Sequence, residues 1–489
     1  MEFGISARRV TLGCCAVLVV AGTVADPAAA APQSGGPALP PGLVEAVQRD
    51  LGIDADDYLA RSTTAQRLAE FGDVARRAYP AIFAGVRMDG IRPVVSLVDG
   101  EDADDARAAA DQAGFTVETV TESEAALDGR RAAFEHWLAG QNASVTDSIV
   151  GYGIDEAHDS LEVTVAKDIR VPADVGPVRS VSAVMPEARP DGNPATAQVI
   201  ADVGPDDDDV VGGEPFAIEL AGRTHKCSFG FNGTDADGHT VNITAGHCDP
   251  NNLVEPAAKT KQAPRVYEGA GGRRGRELGR FEFSELGPHD YSIVRVDDSV
   301  ASRFQNNLVS TRRLASPAPA AGSSGIRPPA GSSGTRPLAG SSGLRSSSAA
   351  TTSSAPAVDT TGKDADQDLL RIDGVAKPVV GQPVCKSGFR SGYSCGTVLT
   401  VGQKGFLRGV PGHGTDVVTV QDMFYTDVCA QRGDSGGPIF AGTKALGVNS
   451  AIINYSTPLD QGCGHLPVLL GQPLSSVLDD HPGLIIRTE

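Results

Sequence analysis

After its first thirty residues the chain has no apolar run that approaches twenty residues, so nothing in it predicts a membrane-spanning helix. It lacks the clustered Lys and Arg that phosphate binding requires. With Lys+Arg at 42 against Asp+Glu at 61 and a net charge of −19, nucleic acid is excluded as the default partner. No C-x2-C pair and no H-E-x-x-H occurs, so neither metal nor cofactor is expected. Tryptophan is present once, at Trp137, and charged residues make up only 21%. Gly (58) and Pro (32) are abundant, so turns and loops should be many. The 489 residues exceed what one core accommodates.

The net charge is unevenly placed. All of it falls within residues 32–209, while residues 1–31 and 210–489 are each neutral, which suggests two pieces with separate jobs. Residues 1–31 read as a signal peptide: Arg8 and Arg9, an apolar stretch from Val10 to Val24, and a small-residue cleavage site at Ala28–Ala31. The arginine pair reads as an ordinary positive start, with the twin-arginine route as the alternative. Removal of the signal leaves six cysteines, Cys227, Cys248, Cys385, Cys395, Cys429 and Cys463. In an exported chain an even count implies disulfides, with fifteen pairings open on sequence alone.

Residues 41–79 show helical spacing, with Leu43, Val47 and Leu51 on one face and Leu68, Phe71 and Val74 on another. Residues 92–123 read as strand, helix (103–113), strand; a helix near 128–140 and a strand at 161–166 follow. Together 32–170 form an α+β segment large enough to fold alone. Residues 171–209, rich in Pro, Asp and Gly and ending in Asp206–Asp209, read as an acidic linker and cut site. From residue 210, short β-rich runs separated by Gly, Asn and Asp suggest an antiparallel barrel or sandwich, with one helix around Pro473–Asp480. Residues 306–366 interrupt this pattern. Ala-Gly-Ser-Ser-Gly recurs there at 321, 330 and 339, and such sequence has too little apolar surface to offset the entropy of ordering.

Three segments carry chemistry: Thr244-Ala245-Gly246-His247-Cys248, His289-Asp290-Tyr291-Ser292-Ile293-Val294, and Gly433-Asp434-Ser435-Gly436-Gly437-Pro438. A serine hydroxyl is a poor nucleophile unless a base within hydrogen-bond reach takes its proton. Histidine suits that task near neutral pH, and a carboxylate must fix its tautomer. Glycines beside the serine let backbone N–H groups converge on a developing oxyanion. Asp297 and Asp298 lie close to Asp290, but the Asp-Tyr-x-Ile-Val context singles out Asp290. His289 reads as a solvated neighbour, and His225, His239, His413 and His465 as ordinary loop histidines.

These segments resemble the catalytic blocks of chymotrypsin-like serine proteases, most closely the bacterial secreted branch of α-lytic protease and the streptogrisins. Val210-Val211-Gly212-Gly213 resembles the start of the mature enzymes. Cys385 and Cys395 with their neighbours resemble a disulfide loop of that branch, and Cys429-Ala430-Gln431-Arg432 its pocket-side disulfide. The resemblance covers residues 210–305 and 367–489. It implies an all-β fold of two antiparallel β-barrels with a C-terminal helix, the site in the cleft between them, preceded by an α+β foldase and inhibitor prosegment. It makes His247 the general base, Asp290 its orienting carboxylate and Ser435 the nucleophile, with an oxyanion hole from the N–H groups of Gly433 and Ser435. Disulfides Cys227–Cys248, Cys385–Cys395 and Cys429–Cys463 are implied. Asp434 should be buried, paired either with a new N-terminus or with Lys386.

The pocket is expected at Ala430, Gln431, Ser450, Ala451 and Ile452. Cys429 stands where an aspartate would select Lys or Arg, and Ile452 should shorten the pocket towards small or medium apolar side chains. A double barrel folds slowly, and a separately folding escort can lower that barrier before being cut away. Processing near residue 209 would remove Trp137 and leave a mature enzyme without tryptophan. Expected partners are polypeptide substrates and the chain's own prosegment; the product should be a secreted monomer with no stable membrane insertion. The alternatives are a protease-fold binding protein tethered through the repeat loop, or a narrowly specific processing protease.

Overall fold

The computed structural model describes residues 39–182, 209–269, 275–311, 368–414, 416–454 and 467–488. The signal, the acidic end of the linker, nearly all of the repeat insertion and Cys463 lie outside them. Helix Ala55–Ala78 starts at Asp54, whose carboxylate accepts the Asp57 N–H at 2.8 Å. It carries Asp56 and Asp57 in its first turn and Arg76 and Arg77 in its last, the charge order that suits the helix dipole. Tyr58, Ser62, Ala65, Leu68, Gly72 and Ala75 recur at three- and four-residue steps and form its buried face.

Strands Phe83–Asp89 and Arg92–Leu97 pair antiparallel. Helix Ala103–Ala113 then crosses over to Thr116–Thr119, which pairs parallel with Arg92–Leu97. The helix expected near 128–140 runs Glu124–Ala139, capped by the Ser123 hydroxyl. Strands Ile149–Asp155 and Ser160–Val165 follow as an antiparallel pair.

From residue 210 the chain is mostly strand, with helix Leu474–Asp480 before a short last strand, Ile485–Ile486. One sheet of eight strands contains Thr240–Thr244 beside Asp290–Val296, with Thr244 opposite Ser292. Its interior holds Phe216, Phe229, Phe281 and Phe304, whose rings meet at centroid distances of 4.9–6.3 Å. In the second sheet Pro383–Lys386, Pro438–Ala441, Lys444–Asn454, Pro467–Pro473, Val418–Thr426 and Ser394–Leu407 pair in that order. Ser394–Leu407 then pairs back with Pro383–Lys386, so the circuit closes. No helix among the described residues is long and apolar enough to cross a membrane.

Residues 39–182 pack onto the rest of the chain: Ile149–Asp155 adds antiparallel to Ser394–Leu407, with Tyr152 opposite Lys404 and Gly151 opposite Gly405. Strand addition of this kind uses backbone groups, which leave no mark in side-chain pattern. Leu43, Val47 and Tyr58 also share a core with Tyr393, Phe440 and Ala445. Burying Leu43 and Val47 contributes roughly 1.5–3 kcal/mol each. The Tyr58 hydroxyl accepts the Gly442 N–H at 3.0 Å, and Asp50 accepts the Cys395 N–H at 2.9 Å.

Ordered strand continues past residue 171, where the linker was expected to start. Val178–Ser182 pairs parallel with Ser160–Val165 and extends the sheet. At the repeat insertion, Leu308–Ser310 pairs with Leu369–Arg371 and puts Ser310 opposite Leu369. The described chain thus stops at residue 311 and resumes at residue 368 beside the same strand pair.

Candidate active site

Strand Thr240–Thr244 ends in a 3-10 turn, Gly246–Cys248, that carries His247. The Cys227–Cys248 disulfide ties the turn down. Gly246 admits no side chain, because a Cβ there would stand 1.7 Å from the Glu285 carbonyl oxygen. The turn therefore lies flat against strand Glu277–Leu286 and beside Asp290, the first residue of the next strand.

Asp290 grips His247 at two points. Its Oδ1 accepts the His247 backbone N–H at 2.8 Å, and its Oδ2 lies 2.8 Å from His247 Nδ1. Since the carboxylate can only accept, Nδ1 carries a proton, and in the neutral ring Nε2 keeps its lone pair. Asp290 is completely buried while the His247 side chain is 25% exposed, so the imidazole alone of the pair meets solvent. The Ser450 hydroxyl donates to Asp290 Oδ2, and Gln472 Oε1 accepts the Asp290 N–H at 2.9 Å. Burial opposes charge on both groups, and their mutual attraction outweighs it. The His247 pKa ends above the ordinary imidazole value and that of Asp290 below the ordinary carboxylate value.

Ser435 sits in the turn Gly433–Gly437. Gly436 has φ +81°, and a Cβ there would stand 1.8 Å from Thr244 Oγ1, so the serine turn presses directly on the histidine strand. The Ser228 N–H donates to the Ser435 carbonyl at 2.8 Å and the Ser228 hydroxyl to the Gly433 carbonyl at 2.9 Å. The N–H groups of Gly433 and Ser435 donate to nothing among the described residues. No hydrogen bond there joins His247 Nε2 to Ser435 Oγ.

Asp434 points away from the site and is buried, as expected. Lys386 Nζ lies 2.9 Å from its Oδ2, and the pair is 0% and 1% exposed. The N–H groups of Arg390, Ser391 and Gln431 also donate to this carboxylate at 2.9 Å, and the Ser391 hydroxyl adds a further bond. Burial alone would raise the Asp434 pKa, but Lys386 and these donors hold it below the usual range.

Of the expected pocket residues, Ala430 lies in a core cluster against which Ile452 packs. Ala451 packs instead against the cluster of Met423, Tyr425 and Leu470. The pairing of Lys444–Asn454 with Pro467–Pro473 breaks register between Asn449 and Ile452. A break of that kind can re-aim side chains, and Ser450, within it, reaches Asp290. Gln431 is half-buried beside the Asp434 network.

The sequence gives no signal for Gln472, or for the bond from Ser450 to Asp290. Disulfides Cys227–Cys248 and Cys385–Cys395 are present. Cys429 is disulfide-bonded as well, and Cys463 lies outside the described residues. His289 departs from its expected place in solvent. It is 15% exposed, with its ring turned among Asp480, Glu285 and Asp422, because the turn before it folds towards the C-terminal helix.

Among known proteins, the family model described as Trypsin matches residues 366–463. Streptogrisin-C of Streptomyces griseus is 25% identical over 428 residues, 87% of this chain and 72% of that protein. A match of that length reaches well into the region before residue 210. Serine protease 2 of Streptomyces fradiae is 27% identical over 241 residues, 49% of this chain and 93% of that protein. Among solved structures, Nocardiopsis protease is 23% identical with a TM-score of 0.35, covering 57% of this chain and all of the other.

Proposed function

We propose, from the premise that the chain is a bacterial chymotrypsin-like serine protease and therefore a serine endopeptidase, that His247, Asp290 and Ser435 hydrolyse peptide bonds through an acyl-enzyme. The observation that carries this assignment is the doubly bonded His247–Asp290 pair, buried on the carboxylate side and open on the imidazole side.

Ser435 Oγ attacks the scissile carbonyl while His247 Nε2 takes its proton. Asp290 stabilises the imidazolium, and the free N–H groups of Gly433 and Ser435 receive the oxyanion. Collapse breaks the C–N bond, the departing amine takes the proton from His247, and water, activated by the same imidazole, releases the acid. The bond from Ser435 to His247 closes with substrate in place, as catalytic hydrogen bonds in empty sites commonly do.

In this reading the eight-stranded sheet and the closed six-strand circuit are the two barrels, and the site lies where Asp290 of one meets Ser450 and Gln472 of the other. Residues 32–182 act as a prosegment of the exported pro-enzyme. Their hold on the edge at Lys404–Gly405 and the length of the Streptogrisin-C match both support that role. Ile452 beside Ala430 favours small or medium apolar residues before the cut. A peptide library with a strong Arg preference overturns that specificity. The activity itself is tested by labelling with an organophosphate: one adduct at Ser435 is expected, absent in Ser435→Ala. Undiminished peptide cleavage by Ser435→Ala overturns the assignment.

A further inference from the structure

We propose that Glu285, His289 and Asp480 form a binding site for a divalent cation of the Zn²⁺ type, one residue along the chain from Asp290. Three separate segments converge there: the end of strand Glu277–Leu286, the turn that follows it, and the last residue of helix Leu474–Asp480. Their ligand atoms all lie within 4.8 Å of one another. Asp480 Oδ2 is 3.0 Å and Glu285 Oε2 3.8 Å from the same atom, His289 Nδ1. Two carboxylate oxygens and an imidazole nitrogen at such spacings outline one face of a tetrahedron with zinc-to-ligand bonds of about 2.0–2.2 Å.

The surroundings fit a bound cation. Asp422 Oδ2 lies 3.6 Å from His289 Nε2, on the far side of the ring. A carboxylate on the second nitrogen is the usual partner of a metal-bound histidine, leaving Nδ1 to face the ion. Asp422 holds this place from a backbone with φ +56°, unusual for a residue other than glycine. The Tyr291 hydroxyl donates to the same Asp480 Oδ2 at 3.0 Å and holds that carboxylate in place.

Charge points the same way. Three carboxylates stand around His289 with His481 beside them, so even with both rings protonated the cluster keeps an excess of negative charge. Glu285 and Asp480 are 27% and 39% exposed, which leaves solvent to supply the fourth ligand. One nitrogen with two oxygens favours Zn²⁺ over Ca²⁺, which takes six to eight oxygens.

The test uses the full chain carrying Ser435→Ala, so that binding is read without proteolysis. Isothermal titration with Zn²⁺ should give one site per chain, and Co²⁺ in its place should give the visible bands of a nitrogen–oxygen site of low coordination number. His289→Gln should weaken Zn²⁺ binding at least about 100-fold, and Asp422→Asn roughly 10-fold through the outer contact. Circular dichroism of each variant without metal establishes that it is folded. If folded His289→Gln takes up Zn²⁺ as tightly as the parent, the site is refuted. The same holds if the parent binds none at millimolar Zn²⁺, or binds Ca²⁺ in preference.

Discussion

Two buried aspartates, Asp290 and Asp434, stand near Ser435 and are treated alike by the fold. Each is removed from water, accepts at least one backbone N–H and a serine hydroxyl, and faces one basic partner. The partners differ. Lys386 is as buried as Asp434 and its ammonium is enclosed, whereas His247 keeps a quarter of its side chain in solvent. A lysine sealed against a carboxylate can only hold two segments together. An imidazole with one nitrogen fixed and the other free can pass a proton on. What separates architecture from chemistry here is the access and basicity of the partner.

The largest effect that would break this comparison comes from neutralising each aspartate in turn. Asp290→Asn should leave the fold in place and lower kcat by about 10⁴, because the amide donates to Nδ1 and imposes the wrong tautomer. A purified, folded Asp290→Asn enzyme within tenfold of the parent would remove Asp290 from the mechanism. Asp434→Asn should act on stability instead. It leaves Lys386 buried without its counter-charge, at about 3–5 kcal/mol. Denaturant unfolding of the two variants in the Ser435→Ala background separates these outcomes.

The two serines make a finer test. Ser450→Ala removes a donor from Asp290 and Ser391→Ala one from Asp434, and a hydrogen bond to a charged group contributes about 1.5–3 kcal/mol. For Ser450→Ala that loss should appear mainly in kcat/KM, roughly ten- to hundredfold. For Ser391→Ala it should appear in the unfolding midpoint with kcat/KM little changed. Equal losses in both quantities for both variants would erase the distinction.

The same contrast explains what was legible beforehand. The turns bearing His247 and Ser435 are constrained locally: Gly246 and Gly436 cannot carry a side chain where they sit, so their residue types mark the turns directly. Helix Ala103–Ala113 was readable from its residue spacing, whereas the Cys385–Cys395 pairing followed only from the family resemblance. Ser450 and Gln472 were opaque as partners of Asp290. One depends on a register break between two strands and the other reaches in from the opposite sheet. The attachment of Ile149–Asp155 to Ser394–Leu407 was equally hidden, since an edge pairing consists of backbone bonds that any residue can make.

The smallest effect is a displacement in pH, and its sign differs between the two aspartates. The His247 pKa lies above its ordinary value of 6.5, raised by Asp290 against the opposing pull of burial. The imidazole must be neutral to accept a proton, so the acid limb of kcat/KM should have its midpoint above 6.5. The stability that this pairing contributes is fully present below the unfolded imidazole pKa and is lost as pH rises through the folded one. Asp434 runs the other way. Its folded pKa lies below the ordinary 3.8, so its contribution is present above that value and is lost as pH falls through the folded one. Following the His247 ring by NMR in Ser435→Ala should show a titration midpoint above 6.5. Adding Asp290→Asn should move it below 6.5, because burial then acts unopposed. A midpoint that stays put when Asp290 is neutralised would mean that the carboxylate does not set the basicity of the imidazole, and the two aspartates would then differ in place alone.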